Sequence, residues 1–293
     1  VEAVRTYALA NGFEGDELMA WDFSFWAERY KESEYALNEE KLKPYFRLEN
    51  CIDAAFGLAT KLYGITFEPR MDIPVYHKDV KVYDVKDQDG RHLALFYADF
   101  FPRPTKRGGA WMTEFRGQCI RNGVEERPFI SIVTNFTKPT GSTPSLITHD
   151  ELTTLLHEFG HSLHGMLAEG RYPSLCGTNV ARDFVELPSQ IMENWAFEPE
   201  FLDDFAKDYK TGEVIPTELV NKIVRAKNYL SGYYQVRQLD FGELDMAWHT
   251  LGTMTQDNTL EFEKKALADY RTLPYVEGTA ISTSFNHIFA GGY

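Results

Sequence analysis

Residues 157–164 read HEFGHSLH and place three histidines and one glutamate within eight positions of a 293-residue chain that has only eight histidines. His157 and His161 are four residues apart, so on an α-helix they lie one turn apart on the same face. H-E-x-x-H is the pattern in which two imidazoles bind one Zn²⁺ and the glutamate acts as a general base. The segment therefore predicts a metal site with His157 and His161 as ligands and Glu158 as the base.

The residues around this motif predict one long helix over residues 148–170. Thr148 and Glu151 fit a capping box, in which a hydroxyl and a carboxylate bind free backbone amides at the helix start. Gly170 fits the position just after the helix end. His164 continues the histidine face by another turn, where it suits either a place beside the metal or substrate or a structural role. Apolar residues at helical spacing form the core-facing stripe: Leu152, Leu155, Leu156, Phe159, Leu163, Met166 and Leu167.

A third protein ligand is needed, because catalytic zinc binds three side chains and keeps one position open for water. The pattern H-E-x-x-H-x-x-G-x-x-H would supply another histidine. It is excluded here, since His164 and Leu167 occupy its Gly and His positions. The remaining common solution is a carboxylate from a following helix. Glu186, which follows His161 by 25 residues, and Glu193 are the two candidates.

The segment that carries these two carboxylates has the features of a helix start. Asp183 can cap the helix, and Pro188 suits its first turn. Gln190 and Asp183 are candidates for the side chains that orient the imidazoles by hydrogen bonding, although an Asp at such a position is more often only a cap.

Helices are expected on both sides of a small sheet, which predicts an α+β architecture that is mostly helical. The predicted helical segments outside the motif region are residues 16–35, 50–64, 216–248 and 259–270. β-branched and aromatic residues around turn signals predict four strands. Two of them surround an Asp-Gly turn within residues 80–101, and two more lie in 108–119 and 127–137, separated by a turn at 121–127.

The composition excludes some classes of partner. The net charge of −14 opposes general binding to nucleic acid or anionic lipid, and no apolar run approaches the roughly 20 residues that span a bilayer. We therefore expect neither a nucleic-acid nor a membrane partner. The three cysteines are too few for a disulfide framework and indicate a reducing compartment, hence a cytoplasmic location. Lys106 and Arg107 could meet the C-terminal carboxylate of a peptide, but exposed loop charges are the better expectation.

Several longer segments together resemble one family of enzymes, the zinc oligopeptidases that include thimet oligopeptidase, oligopeptidase A and peptidyl-dipeptidase Dcp. The similarity runs across essentially the whole chain and is nearest to the Dcp branch. The segments that carry it are HEFGHSLHGM, GTNVARDFVELPSQIMENW, LPYVEGTAISTSFNHIFAGGY, YADFFPRPTKRGGAWM and VTNFTKPTG.

The resemblance implies a zincin-type catalytic domain, in which a small sheet is followed by the H-E-x-x-H helix and a helical C-terminal part. It implies one zinc ion per chain, bound by His157, His161 and Glu186, which favours Glu186 over Glu193. Glu158 would be the general base in hydrolysis of short peptides.

Three further expectations come from the resemblance alone. His287 matches a family histidine near the substrate. Tyr293 matches the tyrosine of the Gly-Gly-Tyr motif, which helps to stabilise the oxyanion. The strand at 129–136 would be the edge strand along which the substrate backbone lies.

The resemblance also predicts the domain organisation. Residues 1–64 would be a helical segment that continues a missing N-terminal region, and residues 65–293 would form the catalytic region. Within that region we expect the sheet at 65–136, the active-site helices at 148–198, and a helical part at 216–293 that is cut short. The alternative function is therefore a catalytically impaired or inactive fragment of such an enzyme, with a structural role only.

Overall fold

The computed structural model describes residues 1–291. By its internal contacts the chain divides into two compact units. We call Asn38–Val224 the central unit, and Val1–Leu37 together with the chain from Arg225 onward the terminal unit. The domain boundary that the resemblance predicts lies at residue 64, and that organisation stays a prediction.

Helices precede and follow a small sheet, as the sequence predicts. The helices are α1 (Glu2–Ala10), α2 (Ala20–Tyr35), α3 (Glu39–Leu42), α4 (Leu48–Tyr63), α5 (His149–Met166), α6 (Arg182–Val185), α7 (Leu187–Glu193), α8 (Pro199–Phe205), α9 (Thr217–Ala226), α10 (Ser231–His249) and α11 (Thr259–Ala266). None of the helices in the described part of the chain has the length and apolar character that crossing a membrane requires.

The strands form two sheets in the central unit. They are β1 (Thr66–Pro69), β2 (Lys81–Lys86), β3 (His92–Asp99), β4 (Trp111–Arg116), β5 (Cys119–Arg121), β6 (Val124–Glu126) and β7 (Phe129–Val133). The larger sheet has the order β1-β2-β3-β7-β4, and β5 and β6 form a separate hairpin. Only the β3–β7 pair is parallel among the named strands.

This strand order corrects one expectation. The strand expected as the edge strand, at 129–136, corresponds to β7, which lies inside the sheet between β3 and β4. The edge on this side is β4. The reason is that the chain leaves β4, forms the β5–β6 hairpin, and returns to insert β7 between β4 and β3. The sequence predicted only a turn at 121–127, where the structure has that hairpin around Asn122 and Gly123, both with positive φ, as a tight two-residue turn requires.

The two faces of the larger sheet differ. One face packs against α5: the Phe96 ring lies 6.0 Å from the Phe159 ring, and Ile130 approaches Gly165. Ile130 and Ile132 on this face are fully buried. Successive side chains of a strand point to opposite faces, so Ser131 of β7 belongs to the other face.

The predicted end of α4 agrees with the structure, whereas the predicted end of α5 and the single helix predicted over 216–248 do not. α4 ends at Gly64, which has φ 71° and so takes the left-handed C-cap conformation that glycine favours. α5 ends at Met166, four residues before Gly170, the predicted stop. The predicted helix over 216–248 is two helices, because the chain turns after Ala226 and Leu230 has φ 58°. The start of α11 is capped by the Asn258 side chain.

The terminal unit has its own apolar clusters. One cluster is built by α1, α2 and the segment before α2: Val4, Ala8, Leu18, Phe23, Trp26 and Ala27. The second joins α10 and α11 to the segment that contains His287, through Leu244, Leu267 and Ile288.

Candidate metal centre

Helix α5 presents the motif from a fixed start. The Thr148 hydroxyl accepts a hydrogen bond from the Glu151 amide at 3.0 Å, and the Glu151 carboxylate accepts one from the Thr148 amide at 2.8 Å. This is the predicted capping box. His157 and His161 follow on one face of the helix, with ring centroids 4.9 Å apart.

Glu186 faces both imidazoles from the junction of α6 and α7. Its Oε2 atom lies 3.2 Å from His157 Nε2 and 3.1 Å from His161 Nε2. Ligand atoms around a tetrahedral zinc with bonds of about 2.0–2.1 Å are roughly 3.3 Å apart. The three side chains therefore fit one zinc ion. Within residues 1–291, they are the one group of three or more His, Cys, Asp or Glu side chains close enough to hold a metal.

Two neighbouring side chains orient these candidate ligands. The Ser189 hydroxyl donates to Glu186 Oε2 at 2.7 Å. Glu193, the rival candidate ligand, has its Oε1 atom 2.6 Å from Nδ1 of His157. With a proton on Nδ1 donated to Glu193, the Nε2 lone pair would be available to a metal, as is common for metal-binding histidines. Glu193 therefore acts on the outer nitrogen of His157 and is not a member of the metal group.

The orienting roles of Ser189 and Glu193 are not predicted from the sequence, which favours Gln190 and Asp183 instead. Gln190 and Asp183 are exposed, and α6 has Ala181 at its N-cap position with no side-chain cap, so Asp183 lies in the first turn without capping it. The signal for Glu193 was its spacing, seven residues after Glu186 and hence two turns further on the same side.

Glu158 lies beside the metal group in a largely buried position, with 7% of its surface exposed. Burial raises the pKa of its carboxyl from 4.5 to about 7, and the nearby Glu186 carboxylate adds to this effect. His157 and a hydrogen bond from the Met112 backbone amide act in the opposite direction. Met112 belongs to β4, so the edge strand contacts the candidate base. A carboxylate with a pKa near neutrality is well matched to accept and return a proton.

Gly160, between the two histidines, allows α5 and α7 to approach closely. A Cβ atom at this position would lie 2.6 Å from the Pro188 carbonyl oxygen and 2.6 Å from Ser189 Cα. These backbone atoms lie two and three residues after Glu186, so a side chain here would push the third candidate ligand away from the histidines.

The remaining predicted site residues lie outside this group. His164 is not among the metal group; its Nδ1 is buried without a hydrogen-bond partner among the described atoms, and its ring lies 6.2 Å from Phe184. His287 lies in a short 3-10 turn of the terminal unit, exposed, with its ring 5.2 Å from Phe285. Tyr293 lies outside the described residues. The roles of His287 and Tyr293 stay predictions.

Comparisons with known proteins agree with the resemblance. Residues 2–293 match peptidase family M3. The chain is 45% identical to a dipeptidyl carboxypeptidase of Salmonella typhimurium, over 95% of this chain and 41% of the relative. It is 43% identical to a dipeptidyl carboxypeptidase of Escherichia coli, over 95% of this chain and 41% of that relative. It is 39% identical to oligopeptidase A of Escherichia coli, over 99% of this chain and 43% of that relative.

The chain thus spans about two fifths of the length of these relatives, and its identity to the two carboxypeptidases exceeds that to oligopeptidase A. The match covers both compact units and includes every residue of the metal group. On this evidence the chain belongs to peptidase family M3.

Proposed function

We propose that this chain is the catalytic part of a zinc metallopeptidase that hydrolyses short peptides, with one zinc ion held by His157, His161 and Glu186. The observation that carries the proposal is the convergence of both Nε2 atoms on one carboxylate oxygen at 3.1 and 3.2 Å. The zincin-type arrangement belongs to the same proposal, since the H-E-x-x-H helix packs against a small sheet whose edge strand reaches Glu158.

Zinc bound at this site would lower the pKa of a water molecule and polarise the scissile carbonyl group. The chain itself supplies the proton transfer. Glu158, with its pKa near 7, accepts the proton of the attacking water on a carboxylate oxygen and delivers it to the leaving amine. The Met112 amide hydrogen-bonds to this carboxylate and holds it towards the edge of the sheet.

The edge position of β4 makes it the candidate to pair with an extended peptide, because an edge strand presents unpaired backbone amides and carbonyls. His287 and Tyr293 are proposed, on the resemblance alone, as donors to the negative charge that develops on the carbonyl oxygen. Loss of one such donor typically slows an enzyme about 10²–10³-fold.

The similar proteins include dipeptidyl carboxypeptidases and oligopeptidase A, so both dipeptide release and internal cleavage are open for this chain. The two modes are separated by mass spectrometry of the products from one peptide that is supplied with a free and with an amidated C-terminus. Release of dipeptides only from the free form indicates dipeptide release, and internal fragments from both forms indicate internal cleavage.

A cytoplasmic location is proposed from the scarcity of cysteines. One similar protein is named a probable cytosolic oligopeptidase A and another an organellar one.

The alternative function is a catalytically impaired or inactive fragment with a structural role. The observation that favours it is length, since the chain spans about two fifths of its relatives. In that case the metal group would bind zinc without supporting turnover.

The test is cleavage of a quenched fluorescent peptide by the zinc-loaded chain and by Glu158→Gln, with zinc content measured on both. We expect Glu158→Gln to retain zinc and to lose activity by at least about 10²-fold. Glu200→Gln, at an exposed position on α8, is the matched control and should cleave normally. Zinc without cleavage in the unmodified chain supports the alternative, and normal cleavage by Glu158→Gln contradicts the assigned base.

A further inference from the structure

The face of the larger sheet opposite to α5 bears a cavity. A cavity of about 330 Å³ lies there, lined by side chains of β3, β4 and β7 and by the loop that joins β3 to β4. Asp99 and Val133, the last residues of the parallel strands β3 and β7, both line it. Ligand sites are frequent at the carboxyl ends of parallel strands, and the volume suits a small ligand.

Positive charge dominates this cavity. Its lining includes Arg103, Lys106 and Arg107 and a single carboxylate, Asp99. That carboxylate is already engaged: Oδ1 accepts from Arg103 and from Lys106, each at 2.9 Å, and Oδ2 accepts from the Tyr76 hydroxyl at 3.0 Å. The cavity therefore keeps an excess of positive charge in a chain whose net charge is −14.

Arg107 is the cation that remains available. Its guanidinium lies over the Trp111 ring, 5.2 Å from the centroid, and it forms no ion pair with any carboxylate of the described chain. A planar guanidinium held against an aromatic ring keeps its N–H fork free for a bidentate contact with an oxyanion.

A hydroxyl donor completes the site. Ser131 lines the cavity and is fully buried, between Tyr97 and Thr113 in the sheet register. Its oxygen lies near the Tyr76 hydroxyl but makes no hydrogen bond of good geometry with the described protein atoms. A buried hydroxyl without a partner is costly, and an oxygen of a bound ligand would satisfy it.

We infer that this cavity binds a small oxyanion, a phosphate or a carboxylate, between the guanidinium of Arg107 and the hydroxyl of Ser131, with Arg103 contributing charge. The site is separate from the metal group, because Ser131 and Thr113 face away from α5 while the neighbouring Ile130 faces it. It does not depend on the proposed peptidase activity.

The experiment is isothermal titration of the folded chain with inorganic phosphate and, separately, with acetate. We expect saturable binding of at least one of them, at least about tenfold weaker in Arg107→Gln, because a hydrogen bond to a charged group is lost. Ser131→Ala should weaken binding by a smaller factor. Preference for phosphate or for acetate identifies which source of the oxyanion the site favours.

Two controls keep the result specific. Arg121→Gln removes an exposed arginine outside the cavity, on the β5–β6 hairpin, and should leave the affinity unchanged. His161→Ala removes a metal ligand and should also bind the anion normally, which excludes binding at zinc. The inference is overturned if neither anion binds saturably, if Arg107→Gln binds as tightly as the unmodified chain, or if Arg121→Gln or His161→Ala weakens binding equally.

Discussion

His157 is held between two glutamates: its Nδ1 atom lies 2.6 Å from Glu193 and its Nε2 atom lies 3.2 Å from Glu186. One carboxylate fixes the tautomer and the ring, and the other faces the nitrogen that would bind metal. The two glutamates therefore have different roles towards the same imidazole: Glu193 orients the ring, and Glu186 faces the nitrogen that would bind the metal.

Replacing Glu193 tests this division. Glu193→Ala should lower zinc affinity about 10–100-fold, because His157 loses the partner that orients it. Glu193→Gln should lose less, since its amide oxygen still accepts from Nδ1. Zinc affinity is measured by competition with a chelator, with Glu200→Gln as the control. Unchanged affinity in Glu193→Ala would show that the contact does not support the site.

Gly160→Ala tests the close approach of α5 and α7. The new methyl would meet the backbone of Pro188 and Ser189 at 2.6 Å, so we expect a loss of about 1–3 kcal/mol in the free energy of unfolding together with weaker zinc binding. Gly57→Ala is the matched control: it lies exposed inside α4 with nothing within 4 Å of the new Cβ, and it should stabilise the chain by about 0.5–1 kcal/mol. If Gly160→Ala has the same free energy of unfolding and the same zinc affinity as the unmodified chain, the proposed clash is wrong.

Asp99 makes the stability of the central unit depend on pH. Burial raises the pKa of its carboxyl, but hydrogen bonds from Arg103 and Lys106 outweigh this and hold the pKa below its ordinary value. Since the unfolded carboxyl titrates near about 3.9, its stabilising contribution is complete above that pH and is lost as the pH falls through the lower value of the folded chain.

Asp99→Asn should therefore cost about 3–5 kcal/mol at neutral pH, because the Lys106 side chain, only 2% exposed, would lose its carboxylate partner. The difference in the free energy of unfolding between Asp99→Asn and the unmodified chain, measured by urea unfolding, should become smaller below about pH 4. A deficit that stays constant with pH would mean that the carboxylate charge is not what stabilises this region.

Glu263 organises the segment before His287 in the terminal unit. Its buried carboxylate accepts from the backbone amides of Ile281 and Ser282, both at 2.9 Å, and from the Ser282 hydroxyl at 3.0 Å. Arg271 donates to the same group at 3.3 Å.

Glu263→Gln should leave some of these donors unpaired, lower stability by about 1–3 kcal/mol and make residues 280–286 more sensitive to protease. Glu261→Gln, exposed on the same helix, is the control. Zinc content should not change, because all three candidate ligands lie in the central unit. Equal protease sensitivity of the two variants would contradict the role given to Glu263.

Local patterns account for what the sequence predicted well. The capping box at Thr148, the stop at Gly64 and the spacing of His157 and His161 each depend on residues within a few positions of one another. The need for a third ligand left Glu186 and Glu193 as candidates, and the resemblance favoured Glu186. The structure brings Glu186 to the two histidines.

What the sequence did not predict depends on distant partners. The insertion of β7 between β3 and β4 is a pairing between strands far apart in the chain, so periodicity could not order them. Lys106 looked like an exposed loop charge, but Asp99 draws its ammonium group into the interior. The Asn122–Gly123 pair signalled a turn, yet the strands around it are only three residues long and carry too few residues for a pattern.

The most direct test of the central claim is zinc per chain by elemental analysis, after reconstitution and removal of excess metal, for the unmodified protein and for Glu186→Ala. We expect about one zinc per chain for the unmodified protein and little retained zinc for Glu186→Ala. Absence of zinc in the unmodified chain, or equal retention by Glu186→Ala, would contradict a metal centre built from His157, His161 and Glu186.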